Sequence, residues 1–145
     1  MIKIISVGKI KHNYLKEGIK DYLTRLSKYT KIKEIELIDS TKEKEAKLIL
    51  DNIDKTDYVI ALAIKGKSFT SEDFSTYINN LYTNSISNIT FIIGGSEGLD
   101  DSVYSRANEK ISFSTMTFPH QMFKMMLVEQ IYRAYKIMNN QTYHK

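Results

Sequence analysis

Short apolar runs alternating with amphipathic stretches predict an α/β fold, a parallel sheet with helices on both faces. Three observations carry this. The runs Ile2–Val7, Tyr58–Ile64 and Asn88–Ile93 are almost wholly apolar, as expected of strands covered on both sides. The intervening stretches place apolar residues at helical spacing. The chain has 145 residues, 42% apolar and 26% charged, the size and composition of one globular domain.

Element by element, Ile2–Val7 is a strand that ends at Gly8. Tyr14–Lys28 reads as a helix, with Leu15, Ile19, Tyr22, Leu23 and Leu26 on one face. Ile32–Ile38 alternates charged and apolar residues and reads as a strand. Lys42–Ile53 is a charged helix whose apolar members are Ala46, Leu48, Ile49 and Ile53. After the strand Tyr58–Ile64, Thr70-Ser71-Glu72-Asp73 caps a helix that runs to about Leu81. The strand Asn88–Ile93 follows, then a short helix near Ser102–Asn108 and a short strand near Lys110–Phe113. Pro119 opens the last helix, which ends near Met138. With no repeat, linker or low-complexity segment, residues 1–145 read as a single domain.

The last helix is apolar nearly all round, from Met122 and Phe123 through Met126 and Ile131 to Met138. Such a helix is covered on more than one side. Either it is a central core helix, or it meets a second copy of the chain. The homodimer interface is favoured, because a terminal helix seldom sits at the middle of a small domain.

Charge is unevenly placed. Residues 1–33 hold nine Lys or Arg (Lys3, Lys9, Lys11, Lys16, Lys20, Arg25, Lys28, Lys31 and Lys33) against Glu17 and Asp21, within a net charge of +4 for the whole chain. A basic face suits a polyanion such as nucleic acid, although a solvated helix face looks the same in sequence. Cysteine is absent, which excludes disulfides and thiolate metal sites. Neither a signal peptide nor a membrane span is evident, so the expected compartment is the cytoplasm.

Three segments bear on chemistry. Phe91–Gly98 is an apolar strand running into a turn with three glycines in five residues, where a parallel sheet binds ligands. A turn that needs glycine for geometry alone is the competing reading. Neither the dinucleotide G-x-G-x-x-G spacing nor a P-loop is present, since Ala61 stands where Gly66-Lys67-Ser68 would need a glycine upstream. His12, His120 and His144 show no metal-ligand spacing. Ile111–Gln121 joins a strand end to a helix start through a hydroxyl-rich turn, and that helix N-terminus offers free N–H groups. The tail Gln141-Thr142-Tyr143-His144-Lys145 gathers a phenol, an imidazole and an ammonium, equipment for acid–base work.

Together these segments resemble the RlmH family, the large-subunit ribosomal RNA pseudouridine N3-methyltransferases of the SPOUT superfamily. Ile4–Lys11 resembles its first strand and V-G-K turn, and Ile92–Leu99 its I-G-G-x-x-G-L loop. Ser114–His120 resembles its S-x-M-T-x-P-H segment, Leu127–Ala134 its L-x-E-Q-x-Y-R-A helix, and Tyr143–Lys145 its Y-H-(R/K) end. Three features depart from the pattern. Ala63 replaces an acidic residue, Lys124 replaces an arginine and so loses a bidentate fork, and the stretch from Asp39 to Lys47 is short.

The resemblance implies a C-terminal trefoil knot, an obligate homodimer, S-adenosylmethionine as methyl donor, and 23S ribosomal RNA within the ribosome as substrate. It implies no metal and no membrane. Leu62, Gly94, Phe113, Ser114, Thr115, Met116, Thr117 and Phe118 would hold the cofactor. His144 is the preferred base and Tyr143 the alternate, with Lys145 and Arg133 stabilising negative charge. The rival readings are a non-catalytic RNA-binding dimer of the same fold and a methyltransferase acting on another RNA nucleotide.

Overall fold

Five strands form one sheet in a computed structural model that describes residues 1–144: β1 (Ile2–Val7), β2 (Ile32–Leu37), β3 (Tyr58–Lys67), β4 (Ile89–Ile93) and β5 (Glu109–Ile111). Their order is β2-β1-β4-β3-β5, and every pairing is parallel. The helices are α1 (Asn13–Leu26), α2 (Lys42–Asp51), α3 (Ser71–Thr83), α4 (Asp101–Arg106) and α5 (His120–Met138).

Strand side chains alternate between faces, and the core divides accordingly. Ile2, Ile4, Ile60, Phe91 and Ile93 meet α1, α3 and α5 on one face. Ile5, Val7, Val59, Ala61 and Ile92 meet Ala46 and Ile49 of α2 and Val103 of α4 on the other. The expected layering, with helices on both faces of a parallel sheet, is therefore present. No helix is long and apolar enough to cross a membrane.

Two of the boundaries that differ from the sequence reading have a clear local reason. Helix α5 starts at His120, because Pro119 has an extended backbone and acts as the N-cap. Strand β3 runs on to Lys67, because the chain leaves β5 after Leu62 and returns, so that Leu62 and Lys67 both pair with Ile111. The Ser112 N–H donates to the Lys67 carbonyl at 3.0 Å. Gly66 permits this close passage, since a methyl group there would stand 2.9 Å from backbone atoms of Lys110 and Ile111.

Three interactions shift the weight of earlier expectations. Helix α5 packs between α1 and α3 and buries seven residues within one protomer, so much of its apolar character belongs to the protomer's own core. Lys3 is buried, with Nζ 2.9 Å from Asp57 Oδ2, and is unavailable to a polyanion; the other eight basic residues of the N-terminal region are exposed. Lys124 is also buried, with Nζ 2.6 Å from Glu34 Oε2 and 3.4 Å from Glu36 Oε1, tying α5 to β2. The lysine in place of arginine at this position thus serves packing between elements, where a point charge between two carboxylates suffices.

Candidate functional site

The carboxyl ends of β3, β4 and β5 open into one cavity of about 780 Å³. Each strand contributes residues from its middle or carboxyl end onward. From β3 come Leu62 to Lys65, from β4 the glycine turn Ile93 to Leu99, and from β5 Lys110 to Ser114. Thr117, Phe118, Pro119, His120 and Phe123 close the far wall. Leu62, Ile93, Leu99, Phe113, Phe118 and Phe123 make the lining largely apolar, with backbone groups and hydroxyls interspersed, as ligand sites commonly are.

Local interactions shape these walls. Ser112 Oγ donates to the Ser114 carbonyl at 3.0 Å, and the Met116 N–H donates to Ser114 Oγ at 3.0 Å, so the hydroxyl-rich segment satisfies its own bend. Gly98 has φ +79, the left-handed region that favours glycine. A methyl at Gly94 would meet Leu99 and the Gly98 backbone at 3.0–3.1 Å, so a side chain there would crowd the turn whatever it binds. Pro119 makes no side-chain cap, and Met122 is the first N–H bonded back, to the Pro119 carbonyl at 3.0 Å. The N–H groups of His120 and Gln121 therefore lack an intrahelical partner.

Of the residues expected to hold a cofactor, Leu62, Gly94, Phe113, Ser114, Thr117 and Phe118 line this cavity. Thr115 and Met116 do not; they are exposed at the crest of the loop, Met116 at 70%. Sequence reading missed Tyr104, Lys110 and Phe123, which also line it. The aromatic at the fourth position of α5 was legible as a helix face, but nothing in sequence pointed it at the glycine turn.

The tail residues lie elsewhere on the protomer. The Tyr143 ring packs edge-on against Tyr132 with centroids 4.9 Å apart, and the Arg133 guanidinium sits over it at 4.8 Å. Tyr143 Oη donates to Glu129 Oε1 at 3.0 Å, and Arg133 Nε donates to the same oxygen at 3.0 Å. Burial, reinforced by hydrogen bonds to Tyr22 and Glu129, pushes the Tyr143 phenol well above its ordinary range. Arg133 is raised first by its hydrogen bond to Glu129.

His144 is held on both sides. Its Nδ1 lies 3.1 Å from Arg133 Nη1, and its Nε2 pairs with Glu72 Oε1 at the start of α3. Arginine only donates, so Nδ1 accepts and Nε2 carries the proton that goes to Glu72. Glu72 titrates below its ordinary range, chiefly through its own backbone N–H and then through His144. Arg133, Tyr143 and His144 are thus brought together, but none of them lines the large cavity. Lys145 lies outside the described residues.

A second, smaller hollow of about 410 Å³ lies between the two regions. Glu129 and Gln130 border it on the tail side, and it shares Ile111, Ser112 and Phe113 with the large cavity. Leu15, Tyr22, Met122, Met125 and Met126 form its apolar flank. Among the described residues no group of three or more His, Asp or Glu converges as a metal site would.

Comparison with known proteins identifies the family and the fold. A family model described as "Predicted SPOUT methyltransferase" matches residues 1–144. The chain is 51% identical to ribosomal RNA large subunit methyltransferase H 1 of Clostridium perfringens strain SM101, with 99% of each chain covered. It is 52% identical to methyltransferase H of Clostridium botulinum strain Kyoto and 51% identical to that of an Exiguobacterium species, again over 99% of each chain. These alignments span 157 positions, so at least twelve have no counterpart in this chain of 145 residues, in keeping with a shortened segment. A solved structure, a probable methylase family protein from Haemophilus influenzae Rd KW20, shares the fold with a TM-score of 0.60 at 9% identity. It covers 99% of this chain and 70% of its own.

Proposed function

The chain belongs to the SPOUT methyltransferase family, and from that premise we propose that it methylates N3 of a pseudouridine in 23S ribosomal RNA, using S-adenosylmethionine. The observation that carries this reading is the single cavity at the carboxyl ends of β3, β4 and β5, where the glycine turn and the Phe113–Phe118 segment meet. Its volume of about 780 Å³ suits a nucleoside-sized ligand, within the range of about 300–1,000 Å³ usual for small-molecule sites.

The residues present fit this ligand. Leu62, Ile93, Leu99 and Phe113 offer the apolar walls that a purine ring needs. The uncapped start of α5 offers free N–H groups and the positive end of a 19-residue helix to a carboxylate. When bound, the cofactor supplies a methyl group made electrophilic by its sulfonium sulfur. The protein's work is then alignment and removal of one proton, because the acceptor nitrogen is an imide N–H. His144 takes that proton in our reading. Its Nδ1 lone pair must first leave Arg133, and the ring must release Glu72 to move, since both ring nitrogens are engaged. The raised phenol of Tyr143 favours a positioning role over that of a base. Arg133 is already charged and held by Glu129, a ready partner for phosphate or for developing negative charge.

Two further features belong to the proposal. A C-terminal trefoil knot belongs to it as the arrangement that membership of this family implies. The half-exposed methionine flank of α5, with Leu15 and Tyr22 of α1, supports a homodimer. The test of function is twofold. Calorimetry should show saturable S-adenosylmethionine binding, and ribosomes carrying the pseudouridine should accept labelled methyl groups while ribosomes with uridine there should not. Binding without transfer to either would favour a methyltransferase of another RNA nucleotide, and no binding at all would leave the non-catalytic RNA-binding reading standing in place of this one.

A further inference from the structure

The β1–α1 junction carries an exposed aromatic stack that neither the core nor the cofactor cavity uses. The rings of His12 and Tyr14 lie with centroids 5.3 Å apart and planes at 26°. Tyr14 is 64% exposed, although a tyrosine at the start of an amphipathic helix usually gains by turning inward. His12 is the N-cap of α1, yet its side chain makes no capping bond. Its ring is therefore committed to Tyr14 and not to the helix end.

The surroundings are cationic. Lys9, Lys11, Lys16 and Lys20 are exposed, and the first turn of α1 holds no acidic residue. The position of the stack is fixed relative to the cavity. The Lys11 N–H donates to Gln121 Oε1 at 3.0 Å, joining this junction to the first turn of α5. The preceding residue of that turn, His120, lines the cavity, and its Nε2 lies 3.5 Å from where a methyl on Gly8 would stand. An aromatic face, exposed lysines on the same short stretch of chain and a hydrogen-bonded link to the cavity mouth are the parts of a single-strand nucleic-acid platform.

We propose that the His12–Tyr14 stack receives an unpaired RNA base beside the nucleotide being methylated, while Lys9, Lys11 and Lys16 hold the flanking phosphates. The proposal rests on the RNA methyltransferase reading above and adds to it a substrate subsite. Every base offers a π face, so the platform selects unpaired over paired RNA more than it selects sequence.

The chain lacks tryptophan, so Tyr14→Trp places a single reporter in the stack. Its emission should be quenched by a short single-stranded oligoribonucleotide and far less by the matching duplex. In parallel, Tyr14→Ala should raise KM for ribosomes about tenfold or more, and Tyr14→Phe should restore it. Cofactor affinity and sedimentation should not change in either variant. Unchanged emission together with a wild-type KM in Tyr14→Ala would overturn the platform. So would a shift in oligomeric state on Tyr14→Ala, which would assign the ring to a protein contact. If wild-type enzyme fails to methylate ribosomes while single strands still quench the reporter, the substrate reading falls and the platform stands.

Discussion

At the scale of single residues, charge that reads alike in sequence divides into two kinds in space. Lys3 joins Asp57 across 54 positions, and its Nζ also donates to the Asn52 carbonyl at 2.9 Å. Both side chains are essentially sealed from water, at 3% and 0% exposure. Removing one partner of such a pair strands the other, at a cost of about 3–5 kcal/mol. Lys3→Met should therefore lower stability by that order in urea denaturation, whereas Lys9→Met should change it by less than about 0.5 kcal/mol. The pair also sets a pH dependence. Burial raises the Asp57 carboxyl, but the Asp54 N–H and the Lys3 ammonium outweigh it and hold the group below its ordinary range. The folded state thus binds this proton less readily than the unfolded chain. The contribution is complete above the ordinary carboxylate value of about 3.9 and is lost as pH falls through the lower folded value. Acid titration of Asp57→Asn should show a shallower loss of stability below about pH 4 than wild type does. An equally steep loss would assign the acid sensitivity to other carboxylates.

At the scale of elements, all ten segments were legible, because apolar periodicity and caps are local signals. Thr70 does accept from the Asp73 N–H at 3.0 Å, as the Thr-Ser-Glu-Asp run implied. The glycine turn and the hydroxyl-rich segment were singled out in sequence as expected ligand loops, and residues of both line the large cavity. What sequence could not supply was meeting across distance: Gly66 against the backbone of β5, Lys124 between two carboxylates of β2, and the tail against α3. The tail is the instructive case. It reads as equipment for acid–base work, yet it lies along α5 and joins α3 through Glu72, away from the large cavity. A chain ending at Thr142 should bind S-adenosylmethionine within a few-fold of wild type, since no described tail residue lines the cavity. Its turnover should fall at least about a hundredfold, the lower range for loss of a general base. Glu72→Ala separates a parked base from a structural strut. If His144 must leave Glu72 to work, that variant keeps or raises turnover while losing some thermal stability. A collapse of turnover in Glu72→Ala, or full activity in the truncated chain, would remove the tail histidine from proton transfer.

At the scale of the whole molecule, one flank of α5 is left partly uncovered by the chain's own contacts. Leu127, Val128, Ile131 and Ala134 are wholly buried between α1 and α3. Met122, Met125 and Met126 are not, and with Leu15, Tyr22 and Phe69 they form the apolar flank of the smaller hollow. The hollow adjoins both the large cavity, through Ile111–Phe113, and the tail network, through Glu129. A second copy seated on this flank would cover the methionines and bring its own surface to the place where cavity and tail approach each other. The proposed homodimer thus connects two regions that one protomer keeps apart. Its probe must be chosen with care. Ile131 has no exposure, so a lysine there would report on folding of the protomer and not on assembly. Met126 lies on the open flank, so Met126→Lys places a charge where the partner would bury it, while the protomer can still keep it wet. Wild-type protein should sediment as a dimer at micromolar concentration. Met126→Lys should sediment as a monomer with unchanged far-ultraviolet circular dichroism, and should lose methyl transfer to ribosomes while retaining cofactor binding. A wild-type monomer, or a Met126→Lys variant that remains dimeric and active, would place the interface elsewhere and leave the methionine flank without a role in assembly.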